Sequence, residues 1–200
     1  MKRSRLKTAV LVIVSTVFAS LAAQAESLAI GNCTWCHGPS AQGYAPAPRL
    51  AGQQSQYIEN QLKSFGVHRR DNPFSKMYMW SAAANLNFQA AHELAIYFSA
   101  LPGSAANDGD MGLVALGRAI YQEGVPDSNI VACVACHGPS AQGVREIPRL
   151  GGLSYSYLQE RLGQWRDGYD AAAMHPMPHV ASKLSPDQIT ALASYLSFIK

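Results

Sequence analysis

The chain is 200 residues long, 48% hydrophobic and 14% charged, proportions that are ordinary for globular protein and exclude a disordered polyelectrolyte. Four of its 16 Lys and Arg, namely Lys2, Arg3, Arg5 and Lys7, crowd the first seven residues. From residue 26 onward 12 basic side chains meet 13 acidic ones, which leaves no basic patch for nucleic acid.

After the basic head come Ala9–Leu21, an almost uninterrupted apolar run, and Ala23-Gln24-Ala25, small residues of the kind a signal peptidase reads. Residues 1–25 read as a cleaved export signal, with the mature chain starting at Glu26. The apolar run is shorter than the ~20 residues a spanning helix needs, which argues against a retained anchor. Only Glu26–Asn32 stands before Cys33-Thr34-Trp35-Cys36-His37. His37–Gly43, HGPSAQG, and Pro48-Arg49-Leu50-Ala51-Gly52 follow. Tyr57, Ile58, Leu62 and Phe65 recur at helical spacing, Met77 and Met79 come next, and Ala90–Ala100 reads as an alanine-rich helix.

Pro102–Asp110 has the breakers and polarity of a linker. Beyond it Met111–Glu123 reads as a helix, with Gly117 and Tyr121 available to pack on the closing helix. Cys133-Val134-Ala135-Cys136-His137 then brings HGPSAQG again, as His137–Gly143, and Pro148-Arg149-Leu150-Gly151-Gly152 follows. Tyr157, Leu158, Leu162 and Trp165 repeat the helical spacing. Pro186–Ile199 closes the chain as a helix with Ser185 as N-cap and proline at the first helical position. No run alternates cleanly enough to be a strand.

The halves align at an offset of 100 residues as far as Phe65 and Trp165, and at 98 where Leu86 meets Leu184 and Tyr97 meets Tyr195. The chain is therefore a duplication. Its units are an N-terminal domain over 26–101 and a C-terminal domain over 111–200, joined by the linker 102–110. Split at Ala105, the mature parts carry net charges of +1 and −2, a weak dipole for orienting a charged partner. An all-α unit of three or four helices around long Gly/Pro loops buries little core by itself, so something else must fill the middle.

C-x-x-C-H supplies a candidate, being the attachment signature of c-type haem. Cys33 and Cys36, and again Cys133 and Cys136, are spaced to form thioethers to two vinyl groups, with His37 and His137 next in line to meet the iron. A thioredoxin-like redox pair would want a preceding strand and gives the histidine no role. Zinc would need both pairs to converge on one ion, and disulfides remain open to an exported chain. Pro48 and Pro148 either supply a carbonyl to the histidine's second nitrogen or stiffen the loop.

A sixth iron ligand belongs in the segment before the last helix of each unit. The candidates are Met77 and Met79 in the first unit, with His68 and His92 less well placed, and Met174, His175, Met177 and His179 in the second. Met79 precedes Leu86 by seven residues and Met177 precedes Leu184 by seven, so the repeat selects Met79 and Met177 over general core methionines.

These features together resemble a di-haem class I cytochrome c of the cytochrome c4 type over essentially the whole mature chain. The carriers are C-x-x-C-H-G-P in each half, the Pro-Arg-Leu-Ala/Gly-Gly step, the tyrosine-bearing helix after it, and Met177-Pro178-His179-Val180-Ala181-Ser182-Lys183-Leu184 before the last helix. The resemblance implies two tandem cytochrome c domains, two covalently bound haem c groups and His/Met iron in each. It also implies periplasmic one-electron transfer between a respiratory complex or dehydrogenase and a terminal oxidase, with peripheral association at membrane complexes left open. On this reading the protein is an electron carrier and not an enzyme. One departure is the short lead before Cys33, which leaves the first unit without much of one wall. A permanent haem-bearing subunit of a larger dehydrogenase is the alternative that departure motivates, and a di-haem peroxidase would need one vacant iron position.

Overall fold

The computed structural model describes residues 29–44, 46–170 and 176–200. Residues 1–25, expected to be an export signal, and the candidates Met174 and His175 lie outside them. Among the described residues no helix is long and apolar enough to cross a membrane, and β-type pairing is confined to isolated bridges such as Tyr44 with Ala47 and Val144 with Ile147.

The first lobe begins with α1, residues 29–37, which carries both cysteines and the histidine of the first motif. After the proximal loop comes α2, Ser55–Gly66. A π-helical turn, Ser75–Met79, runs into the short α3, Trp80–Ala83. The lobe closes with α4, Phe88–Ala100, whose Ala91, Leu94, Ala95 and Phe98 form a buried face at i, i+3, i+4 and i+7. Its start lies two residues before the expected Ala90, because the Asn87 side chain accepts the Ala90 N–H at 2.8 Å and caps the first turn.

The second lobe opens with a 3-10 turn, Met111–Leu113, and α5, Val114–Glu123, together the leading helix read from the sequence. Its cysteine motif sits on the short α6, Val134–His137. Next come α7, Tyr155–Arg166, α8, Met177–Ala181, and α9, Pro186–Ser197. Ser185 and Gln188 form a reciprocal capping box at the start of α9, where Pro186 takes the first helical position. The helix ends two residues short of the expected Ile199.

Each lobe has its own core. In the second, α9 packs against α5 and α7, and its Ile189, Leu192 and Leu196 join Ile120, Tyr121 and Leu158 in one cluster. In the first, α4 packs against α2, and the fully buried members are Ala41, Ala51, Ile58, Leu94, Ala95 and Phe98. Ala29, Ile30 and Cys33 of α1 pack beside the buried face of α4, while Phe88 and Ile96 on its other side stand 78% and 51% exposed. Tyr195 meets the ring of Tyr121 at 5.6 Å, whereas its counterpart Tyr97 is exposed to solvent.

The linker is pinned rather than loose. Ser104 donates from its N–H and its hydroxyl to Gln42 Oε1, at 3.0 and 2.8 Å, and Gln42 Nε2 donates to the Pro102 carbonyl at 2.8 Å. Farther on, the Gly109 and Asp110 N–H groups donate to the hydroxyls of Ser197 and Ser194 on α9. Its polarity is thus spent on fixed partners in both lobes.

Candidate functional site

The duplicated loop is built by its backbone. Gly38 and Gly138 leave the helix at φ +84° and +78°, and Ala41 and Ala141, both fully buried, follow at φ +54° and +50°. The Ala41 carbonyl accepts the Leu50 and Ala51 N–H groups at 2.9 and 3.0 Å, and the Ala141 carbonyl accepts those of Leu150 and Gly151 at 2.8 and 3.0 Å. Gly43 N–H returns to the His37 carbonyl and Gly143 N–H to the His137 carbonyl. A Cβ on Gly43 would meet the Arg49 nitrogen at 2.5 Å, and one on Gly143 the Ile147 oxygen at 2.3 Å. These tight approaches give a steric reason for the loop's identity in both halves.

The loop aims the histidines. His37 Nδ1 lies 2.7 Å from the Pro48 carbonyl oxygen, and His137 Nδ1 lies 2.9 Å from that of Pro148. A carbonyl can only accept, so Nδ1 carries the proton and donates, and Nε2 keeps its lone pair for a metal. Burial lowers the pKa of both rings, which holds them neutral; the proline carbonyls act weakly the other way. Between the two roles the spacing left open for Pro48 and Pro148, the structure shows the hydrogen bond.

No two of the four cysteines are joined in a disulfide; Cys33 and Cys133 are half-buried and Cys36 and Cys136 exposed. Burial pushes the Cys33 thiol up and the Cys133 thiol up to about 11, the reverse of the depressed pKa that a nucleophilic thiolate shows. Among the described residues no three His, Cys, Asp or Glu side chains converge on a metal point.

A haem fits what is present. Cys33, Leu50, Leu62 and Leu86 are only partly buried against the small first core; Cys133, Leu150, Trp165, Met177 and Val180 stand likewise beside the second. Two sets of half-buried apolar side chains, each with two thiols and one neutral imidazole, are a donor set suited to a large apolar disc with a metal at its centre.

In the segment before the last helix of each lobe, Met79 ends the π turn and Met177 starts α8, both partly buried. The other described candidates are engaged or out in solvent. His68 stacks on Trp80 at 3.9 Å, His92 Nδ1 donates to the Glu59 carboxylate at 2.8 Å on the surface, His179 is exposed and Met77 is 63% exposed. The two-residue slip between halves resolves into single steps. Asp71 and Asp170, 99 apart, are partners across the lobes; Phe65 and Trp165 are 100 apart and Met79 and Met177 98. The second step falls where the first lobe forms its π turn, a helical turn widened to take in one more residue.

Between the lobes lies a polar seam that sequence reasoning did not find. Arg49, 5% exposed, donates to the Gly151 and Gly152 carbonyls at 2.7 and 3.1 Å and to that of Ser104. Gln53 exchanges two bonds with the Arg149 backbone, at 2.9 and 2.7 Å. Asp71 N–H donates to Asp170 Oδ1 at 2.6 Å, and Asp170 N–H returns to Asp71 Oδ1 at 2.9 Å. Arg70 lies over the Phe65 ring and Arg161 over that of Trp165, so the two halves place a guanidinium on an aromatic from different positions.

Burial alone would raise the Asp170 carboxyl, but the Arg161 charge at 2.6 Å and the bonds from Asp71 bring it below its ordinary 3.8. A depressed acid contributes stability that is complete above 3.8 and is lost as pH falls through the folded value. The denaturant midpoint is therefore expected to drop below pH 3.8, and Asp170→Asn to flatten that part of the profile. An unchanged slope in the variant would assign the acid sensitivity elsewhere.

Comparison with known proteins agrees with this geometry. The cytochrome c family model matches residues 22–101 and again 114–200. Cytochrome c4 of Thiocapsa roseopersicina is 32% identical over 176 residues, covering 86% of this chain and 88% of its own. A thiosulfate dehydrogenase electron acceptor of Stutzerimonas stutzeri is 35% identical over 171 residues, covering 82% of this chain and 77% of its own. The solved cytochrome c4 of Acidithiobacillus ferrooxidans superposes with a TM-score of 0.78 at 34% identity, over 84% of this chain and 98% of that one.

Proposed function

The chain belongs to the cytochrome c family, with two cytochrome c domains and two covalently bound haem c groups, and from that premise we propose a ligand set and a route for its electrons. Cys33 and Cys36 hold one haem and Cys133 and Cys136 the other; His37 and Met79 are the axial ligands of the first, His137 and Met177 those of the second. Bound haem supplies a one-electron ferric/ferrous couple. The observation that carries the assignment is the doubled one: in each lobe a histidine proton is fixed by a proline carbonyl, leaving Nε2 as the coordinating nitrogen. Those carbonyls orient the imidazoles and raise their basicity. Methionine on the distal side keeps the couple at high potential, and filled positions leave electron transfer rather than bond chemistry.

The protein is a di-haem electron carrier. We read one domain as the receiver and the other as the donor. On our reading the domains span 26–101 and 111–200 with the linker 102–110 between them, residues 1–25 direct export, and the carrier works in the periplasm. Its donor is a dehydrogenase or respiratory complex and its acceptor a terminal oxidase; similarity to an electron acceptor of thiosulfate dehydrogenase supports the dehydrogenase side. The exposed Phe88 and Ile96 on α4 favour a second reading, permanent docking of the first lobe on a dehydrogenase. Purification as a free monomer that turns over between donor and oxidase excludes it.

Replacing Met79 and Met177 one at a time by alanine tests the ligands. Each variant is expected to lose half of the red sulfur-to-ferric-iron absorption band and to lower the potential of one haem only. A variant with the full band removes that methionine from the set.

A further inference from the structure

We propose that Asp170 of the second lobe is a positioning residue for Met79 of the first, an inference that rests on Met79 being the distal ligand. The segment that leads to Met79 is fixed at residues 70–72. Asn72, 2% exposed, accepts the Ser75 N–H on its side-chain oxygen at 3.1 Å and so sets the start of the π turn. On the far side of Met79, Trp80 Nε1 donates back to the Arg70 carbonyl at 2.8 Å. Both ends of the turn thus hang from one short stretch.

That stretch is held from the other lobe. Asp170 Oδ1 accepts the Asp71 N–H at 2.6 Å, and Asp170 N–H donates to Asp71 Oδ1. Asp170 is itself 3% exposed and lies 2.6 Å from the Arg161 guanidinium on α7, so its carboxylate is a fixed post. Met177, by contrast, packs directly against its own lobe's core. Correct placement of the first lobe's methionine therefore depends on a side chain 91 residues farther along the chain.

The test uses the holoprotein in a Met177→His background, which silences the second haem's sulfur-to-iron band and leaves that of Met79. Asp170→Ala is expected to lower the denaturant concentration at which half of the remaining band is lost, and to lose it before the helices unfold. Asp170→Asn keeps an oxygen acceptor for the Asp71 N–H but loses the charge opposite Arg161, so it is expected to lower the overall midpoint while band and helices are lost together; this ties early loss of the band to the Asp71 bond rather than to the ion pair. A band that Asp170→Ala loses only together with the helices overturns the positioning role. A parent that shows no residual band overturns the ligand assignment and the proposal with it, a distinguishable failure. Should Asp170→Ala not fold, amide exchange in the wild-type holoprotein decides: the Asp71 N–H is expected to be protected more than about a hundredfold, and unprotected exchange overturns the proposal.

Discussion

Gly117→Ala is expected to destabilise the second lobe by about 3 kcal/mol, the upper end of what overpacking a well-packed contact costs. At Gly117 α5 crosses α9 so closely that a Cβ would stand 2.0 Å from the Ala191 carbonyl oxygen and 2.7 Å from Tyr195 Cβ. The nearest obstacle is backbone, so no rotamer change relieves it and the helices must part. Parting them pulls on Tyr121, whose ring meets Tyr195 and whose hydroxyl donates to the Gly138 carbonyl at 2.6 Å, one residue after His137. Chemical denaturation of the holoprotein should show the lower midpoint, with the second haem's sulfur-to-iron band failing first. A midpoint equal to wild type would mean that α5 and α9 have room the structure does not show.

Arg49→Ala is expected to cost about 2–3 kcal/mol and to slow transfer between the haems. Hydrogen bonds from a charged donor contribute about 1.5–3 kcal/mol each, and part of that is offset here because burial, together with the nearby Arg149, lowers the Arg49 pKa to about 10. What remains is the linking of three carbonyls: Ser104 in the linker and Gly151 and Gly152 in the second lobe. Lysine carries the charge but not the planar fork, so Arg49→Lys should restore little. Stopped-flow reduction followed at both haems measures the second effect. Wild-type transfer between haems in a destabilised variant would separate the seam's role in stability from its role in conduction.

The parts of the molecule legible in the sequence are those whose constraints are local. C-x-x-C-H, the glycines of HGPSAQG, the helical spacing of Tyr57 to Phe65 and the Ser185-Pro186 cap all act within a few residues, and each lies where its pattern placed it. The Gly117 crossing was also readable, because the repeat offered a closing helix for it to meet. The seam was not. Arg49 and Arg149 occupy equivalent places in identical Pro-Arg-Leu steps, yet Arg49 reaches across to the other lobe while Arg149 Nε bonds Gly151 within its own. Partners about 100 residues apart leave no periodicity to detect. Composition likewise marked 102–110 as linker but could not show that Ser194 and Ser197 hold it. The π turn was visible only as a slip in register, without its cause.

The bonds between Asp71 and Asp170 run both ways, each backbone amide meeting the other's carboxylate. Contacts in which one residue meets a second and the second meets the first define an isologous interface, the kind that joins identical subunits about a twofold axis. The Asp71–Asp170 pair has that character inside a single polypeptide, although elsewhere in the seam the Arg49 side chain crosses and that of Arg149 does not. Covalent connection then makes the pairing independent of protein concentration and guarantees one lobe of each kind. With the pairing guaranteed, the halves need not stay alike: Gln61 stands where the other lobe has Arg161, and the Asp71–Asp170 bonds are still made.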